Sequence, residues 1–114
     1  MTDRRKQLLR AYKERKTAPG AFAVRCAAAG ETFVGVAPDL TNRENGVWFS
    51  LRLGSHPNRQ LQALWAREGA DAFTFEVLEV LEADEPLEPY VLAARLKDLE
   101  AAWLERLGGR KLVG

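Results

Sequence analysis

Two short apolar stretches, residues 20–26 and 32–37, constrain the fold of this chain more strongly than any other feature. The large side chains of the first stretch fall at every second position, which is the pattern of a β-strand. Gly30 supplies a turn between the two stretches. Together they predict an antiparallel β-hairpin, and Gly35 inside the second strand indicates a position where another group approaches the backbone closely.

A third strand and three helices are predicted after the hairpin. Asp39 is a favourable N-cap for a helix over residues 40–53, and a second helix ends at Gly69. Alternating apolar residues predict a strand over residues 73–81, and apolar residues at helical spacing predict a helix over residues 90–107. The expected fold class is α/β, more strictly α+β: a small three-stranded antiparallel sheet flanked by helices.

An extra N-terminal helix is predicted over residues 2–16, where Leu8, Leu9 and Tyr12 share one face. Its other face is basic and carries Arg4, Arg5, Lys6, Arg10, Lys13, Arg15 and Lys16. A chain of 114 residues has the size of one compact domain. We therefore expect a single domain over residues 1–114, with its core at residues 19–107.

Composition favours a cytoplasmic protein that does not enter a membrane. Hydrophobic residues make up 46% and charged residues 29% of the chain, and no apolar stretch approaches the ~18 residues of a membrane span. The basic first residues are not followed by the apolar segment of a secretory signal. Cys26 is the only cysteine, which excludes an intramolecular disulfide and a cysteine-rich zinc site and predicts a small buried side chain.

Charge is unevenly distributed along the chain, although the formal total is only +1. Residues 1–67 carry 12 basic and 5 acidic side chains, a net +7, whereas residues 68–105 carry 2 basic and 11 acidic ones, a net −9. A basic face of this kind can bind nucleic acid, DNA above all, or can serve only to solvate helices. The arginines expected to contact nucleic acid are Arg4, Arg5, Arg10, Arg43, Arg52 and Arg59.

Three side chains are candidates for a functional site. Arg43 falls on the apolar edge of its predicted helix, where a guanidinium can bind a phosphate or simply cover apolar neighbours. Glu100 borders the inner stripe of the last helix, so it needs hydrogen-bond donors or a cation: a divalent metal such as Mg²⁺, Lys97, or an arginine from elsewhere. His56 is the only histidine and can transfer a proton near pH 7 or satisfy backbone groups where a helix begins.

The order and spacing of these features resemble the GIY-YIG endonuclease family. The residues that carry the resemblance are Gly20-Ala21-Phe22, Phe33-Val34-Gly35, Arg43, His56 ahead of Leu61-Gln62, and Glu100 ahead of Trp103-Leu104. The resemblance implies a GIY-YIG nuclease-like fold over about residues 19–107 and metal-dependent hydrolysis of DNA. It implies that Arg43 stabilises phosphate charge, that Glu100 binds Mg²⁺ or Mn²⁺, and that His56 assists proton transfer.

Several polar groups of the family pattern are missing. Phe22 and Phe33 replace the two motif tyrosines and have no hydroxyl; the resemblance implies that the second hydroxyl helps to activate the attacking water. Val47 replaces the first of two histidines, and the asparagine expected near the C-terminus has no counterpart in residues 108–114. The tyrosines that could supply a hydroxyl from outside the motifs are Tyr12 and Tyr90.

Three functions are open on these grounds: a metal-dependent DNA endonuclease, a non-catalytic nucleic-acid-binding protein, and a protein-interaction module. The retained pair Arg43 and Glu100 favours the first, whereas the missing hydroxyls and Val47 favour the other two. Loss of general-base assistance typically slows a reaction by about 10²–10⁴-fold, so the departures are compatible with a weak nuclease.

Overall fold

The computed structural model describes residues 18–82 and 87–112. Its elements, in chain order, are β1 (Gly20–Cys26), β2 (Glu31–Ala37), α1 (Arg43–Leu53), α2 (Arg59–Glu68), a 3₁₀ turn (Ala70–Ala72), β3 (Phe73–Val80), α3 (Pro89–Leu107) and β4 (Arg110–Lys111). The helix predicted over residues 2–16 lies outside the described residues, with its Arg4, Arg5 and Arg10. In the described part of the chain, no helix is long and apolar enough to cross a membrane.

The strands form one mixed sheet in the order β3-β1-β2-β4. β1 pairs antiparallel with both β2 and β3, which confirms the predicted hairpin. The expectation of a three-stranded, wholly antiparallel sheet is wrong, because β4 pairs with β2 in parallel. A strand of two residues is too short to show an alternating pattern, and it is held by long-range bonds such as that from the Leu112 N–H to the Val34 carbonyl, 2.8 Å.

One face of the sheet packs against α1 and α2. Residues opposite each other in the β1–β2 ladder share a face, and Phe22–Gly35 and Val24–Phe33 are two such pairs. The helices contribute Val47, Leu51 and Leu61 to the same buried cluster. Cys26 belongs to this cluster with 1% of its surface exposed, as predicted for a small buried side chain.

Helix α3 packs on the opposite face of the sheet, against β1 and β2. The strand residues of that face include Ala21 and Ala23, which are fully buried and small enough to let the helix approach closely. The indole N–H of Trp103 donates to a carboxylate oxygen of Glu79 on β3 at 2.8 Å and fixes the orientation of the helix. The predicted inner stripe is buried or half-buried throughout: Leu92, Leu96, Leu99, Trp103 and Leu107.

Helix α1 begins three residues later than the sequence predicts, and Asp39 is not its N-cap. The Asp39 carboxylate instead accepts hydrogen bonds from the backbone N–H and the hydroxyl of Thr41, at 3.0 and 2.6 Å, and from the Ala18 N–H at 3.3 Å. Asn42 occupies the N-cap position without a side-chain bond. The aspartate therefore closes the turn that precedes the helix, and α1 starts with Arg43 as its first residue.

Candidate active site

A cleft of about 500 Å³ opens at one edge of the sheet. In the described part of the chain, β4 covers the outer edge of β2 only at Phe33 and Val34, so the edge is uncovered from Gly35 onward. The cleft lies at this uncovered edge, between α1, the loop that follows it, and the second half of α3. Its lining residues are Phe22, Gly35, Val36, Arg43, Gly46, Val47, Ser50, His56, Pro57, Glu100 and Leu112.

Arg43, His56 and Glu100 therefore line one cleft, although they are far apart in the sequence. Arg43 is the first residue of α1, His56 lies in the loop after α1, and Glu100 comes from α3 on the other side of the sheet. The helices α1 and α3 approach the same strand edge from opposite faces. This arrangement brings the three residues together, while the chemical role of each stays a prediction.

Arg43 is exposed to solvent and lines the cleft. Among the described residues, the ion pairs are Arg25–Glu76, Arg67–Glu68, Arg110–Glu31 and Lys111–Glu100, none of which uses Arg43. The neighbouring Gly46 has no side chain, and a Cβ placed there would meet no atom within 4 Å. Arg43 interacts electrostatically with Asp39 but forms no ion pair among the described residues, so an anion can approach it beside Gly46.

Among the residues that the structure describes, Glu100 is the only acidic side chain that lines the cleft. Its side chain is 13% exposed, and its Oε1 lies 3.9 Å from the Nζ of Lys111. Among the described residues, the ionic partner is Lys111 and not Lys97 or an arginine, the two side-chain partners considered from the sequence. It comes from β4, the strand that the sequence does not predict.

Few acidic side chains lie near Glu100 among the described residues, and this limits the kind of metal site that the cleft can form. Within residues 18–82 and 87–112, no group of three or more histidine, cysteine, aspartate or glutamate side chains could hold an ion. A closed cage of protein ligands is therefore not available there. One carboxylate does fit Mg²⁺ or Mn²⁺ when the remaining ligands are water and phosphate oxygens.

His56 is buried, and its ring is held by the start of α2. Its Nδ1 accepts a hydrogen bond from the Asn58 backbone N–H at 3.0 Å, so the neutral ring carries its proton on Nε2. Its own backbone N–H donates to the Gln62 side chain at 3.2 Å, and that side chain donates to the Leu51 carbonyl at 3.0 Å. Burial lowers the pKa of His56 below its ordinary value, which keeps the imidazole neutral at pH 7.

The two phenylalanines that replace the motif tyrosines have different environments. Phe22 lines the cleft and stacks on Phe75 with the ring centroids 5.0 Å apart. Phe33 is 1% exposed and borders a separate cavity of about 380 Å³ near Arg110. A hydroxyl at position 22 would therefore lie at the cleft, whereas position 33 adjoins the other cavity.

Of the two tyrosines that could supply a hydroxyl from outside the motifs, the structure describes only Tyr90. Tyr90 lies in the first turn of α3, is 72% exposed and does not line the cleft. Tyr12 lies outside the described residues. Among the described residues, Ser50 supplies the only hydroxyl of the cleft, and its spacing of seven from Arg43, two helical turns, is the signal that could have revealed it.

Asn58 is a second residue that sequence patterns miss. Its Oδ1 accepts from the Leu61 N–H at 3.0 Å and caps α2. Its Nδ2 donates to the carbonyl oxygens of Lys111 and Leu112 at 3.1 and 2.9 Å. One side chain thus joins the start of α2 to the segment that borders the cleft, and no local pattern links positions so distant in the sequence.

Among the described residues, the other arginines predicted to bind nucleic acid are Arg52 and Arg59, and neither lines the cleft. Arg52 is in the last turn of α1 and Arg59 is the first residue of α2, and both are exposed. Their predicted contacts with nucleic acid stay a prediction.

The fold is similar to that of two solved nuclease structures. One is a glutamate-to-alanine mutant of the catalytic domain of intron endonuclease I-TevI, with a TM-score of 0.63, 21% sequence identity, and coverage of 85% of this chain and 95% of that one. The other is the catalytic domain of homing endonuclease I-TevI, with a TM-score of 0.62, 21% identity, and coverage of 84% and 99%. No family model and no curated protein matches the sequence. The chain therefore has a GIY-YIG-like fold, and at this identity the similarity defines the fold alone.

Proposed function

We propose that this protein is a GIY-YIG-type endonuclease that hydrolyses DNA phosphodiesters with the help of Mg²⁺ or Mn²⁺. The observation that carries the proposal is the shared cleft of Arg43, His56 and Glu100. A cation to neutralise phosphate charge, a hydrogen-bond donor and a carboxylate are the groups that such a reaction uses. The I-TevI catalytic domains with the same fold support this class of reaction.

In the proposed reaction, a water oxygen forms a new bond to phosphorus while the bond to the leaving sugar oxygen breaks. The water loses one proton to solvent and the leaving oxygen gains one. Arg43 binds the phosphate and stabilises the negative charge that grows on its oxygens. Glu100 would hold the divalent metal, which when bound polarises the phosphate and lowers the pKa of a bound water.

His56 has a narrower role in this proposal than the proton transfer expected from the sequence. Because Nδ1 already accepts the Asn58 N–H, the ring can offer only Nε2–H to the cleft. We assign it a hydrogen bond to a phosphate or leaving oxygen. Ser50 can orient the water through its hydroxyl, but a serine hydroxyl does not ionise near neutral pH.

The absence of a general base at three motif positions predicts slow hydrolysis. Phe22, Phe33 and Val47 offer no group that takes a proton, so we expect a rate about 10²–10⁴-fold below that of a nuclease with such a base. The same three residues favour a second candidate function, in which the cleft binds nucleic acid without cutting it.

A plasmid-nicking assay with Mg²⁺ or Mn²⁺ tests the proposal. Arg43→Gln and Glu100→Gln should each lower the rate by about 10²–10³-fold. Arg95→Gln and Glu105→Gln are charge-matched controls, because both side chains are exposed on α3 and neither lines the cleft. Both controls should retain the wild-type rate.

Two other results would redirect the interpretation. A wild-type protein that leaves the plasmid intact but retards DNA, with an affinity that falls steeply as salt rises, supports the binding protein. If the protein neither cuts nor binds DNA, an interaction module is the remaining function.

A further inference from the structure

The ion pair between Glu100 and Lys111 places an ammonium beside the carboxylate to which we assign the metal, so this inference rests on the proposed function. The distance between Nζ and Oε1 is 3.9 Å. The chain reaches this position because α3 ends at Leu107 and the next residue, Gly108, has a φ of +63° that reverses the direction of the chain. Gly109 then passes close to β2, since a Cβ there would lie 2.9 Å from the Thr32 carbonyl oxygen.

The backbone of Lys111 is held firmly, whereas its side chain can move. The residue pairs with Val34 in the parallel ladder, and its carbonyl accepts from Asn58 Nδ2 at 3.1 Å. Its side chain is 53% exposed, so solvent lies beside its flexible stem. The ammonium can swing away from Glu100 without disturbing the strand.

We propose that Lys111 is a built-in counter-ion of Glu100, which a divalent cation must displace in order to bind this carboxylate. Two cations close to one carboxylate repel each other, and the repulsion is screened less at a side chain that is 13% exposed than at a fully solvated one. The free protein therefore binds Mn²⁺ weakly at Glu100. Removal of the lysine charge strengthens that binding.

The test is a titration of the folded 114-residue chain with Mn²⁺ alone, followed by NMR. Paramagnetic Mn²⁺ broadens nearby resonances, so the backbone amides of Glu100 and Leu104 report binding at this carboxylate. We expect Lys111→Gln to lower the midpoint of broadening by about 5- to 10-fold. Lys111→Arg keeps the charge and should leave the midpoint at or above the wild-type value.

Two further variants test whether the effect is specific to the pair of Glu100 and Lys111. Arg110→Gln removes the same charge from the neighbouring residue, whose partner is Glu31 at 2.9 Å, and should change the midpoint by less than about twofold. Glu100→Gln should abolish the broadening. Amide spectra of every variant verify the fold.

Equal midpoints for the wild type and Lys111→Gln would overturn the inference, as would the absence of broadening in both. A lower midpoint in Lys111→Arg as well as in Lys111→Gln would also overturn it. The titration contains no DNA, so its outcome is independent of the nicking assay. If the protein cleaves DNA but the two midpoints are equal, the counter-ion proposal is wrong and the nuclease proposal stands. If the midpoint shifts as expected but DNA is not cleaved, the counter-ion proposal stands and the nuclease proposal is wrong.

Discussion

The ring of Phe22 covers Gly35 on the adjacent strand. The two residues are directly opposite in the β1–β2 ladder, and a Cβ at Gly35 would lie 2.7 Å from Cζ of that ring and 3.0 Å from Cδ2 of Leu112. The missing side chain therefore lets an aromatic ring and the Leu112 side chain meet over β2. All three residues form part of the cleft lining.

Gly35→Ala should destabilise the protein by about 1–3 kcal/mol, because the added methyl overlaps a ring that is itself fully buried. The measurement is the free energy of unfolding from urea denaturation. A denaturation midpoint equal to that of the wild type would show that Phe22 can move aside and that the close approach has no energetic consequence.

Gly46→Ala should have opposite effects on stability and on activity. A Cβ at Gly46 meets nothing within 4 Å, so alanine stabilises α1 by roughly 1 kcal/mol. The methyl projects into the cleft beside Arg43, and we expect the nicking rate to fall by about 10-fold or more, since misplaced substrate reacts slowly. Urea denaturation measures the stability and the nicking assay measures the rate, on the same samples. An unchanged nicking rate would mean that the substrate does not approach Gly46.

Phe22→Tyr should increase the nicking rate by at least about 10-fold, because it adds a hydroxyl at the cleft, where no tyrosine lies among the described residues. Phe33→Tyr is the matched variant. Its ring is as deeply buried as that of Phe22, at 1% against 2% exposed, but it borders the separate cavity near Arg110, so a hydroxyl there should give no gain in rate. The reverse order of rates would show that Phe33, not Phe22, faces the substrate.

The stability of the protein should decrease as the pH falls below about 6.5, partly through His56. Burial lowers the pKa of His56 from its ordinary value of 6.5. Between that value and the lower pKa of the folded state, the unfolded chain binds the proton first, and the free energy of unfolding decreases. His56→Asn can keep an acceptor for the Asn58 N–H but does not titrate, so its curve should be flatter over this range.

Urea denaturation at several pH values measures the difference between the His56→Asn and wild-type curves. The titration of Asp39 does not interfere with this comparison. Hydrogen bonds from Thr41, the side-chain bond first, lower the pKa of its carboxyl below 3.8, so its stabilising contribution is lost only at pH values below about 4. Parallel curves for the two proteins above pH 5 would contradict the assignment of a neutral buried His56.

Asn58→Ser should detach the C-terminal segment from the start of α2. Serine remains an effective N-cap but lacks the two amide hydrogens that reach the Lys111 and Leu112 carbonyls. We expect a loss of about 1–2 kcal/mol in stability and faster hydrogen exchange of the Leu112 amide, which is bonded to Val34. Asn58→Asp keeps the N-cap but places a carboxylate beside two carbonyl oxygens. In this variant the Leu112 amide should exchange faster still.

Local patterns in the sequence determine the hairpin, β3 and the three core helices. Alternation within a strand and the stripe along a helix arise from neighbouring residues, so they are visible in a short window. The order of Gly35, Arg43, His56 and Glu100 also resembles the GIY-YIG family, and the solved structures support the fold that this resemblance implies. These features required no knowledge of long-range contacts.

Tertiary contacts alone decided the start of α1, the existence of β4, and the surroundings of each candidate side chain. Asp39 closes a turn because Thr41 and Ala18 present their donors to it. Lys111 lies beside Glu100 because two glycines turn the chain back along β2 and Asn58 holds it there. Such contacts join residues distant in sequence, and their free energy depends on geometry that no local pattern encodes.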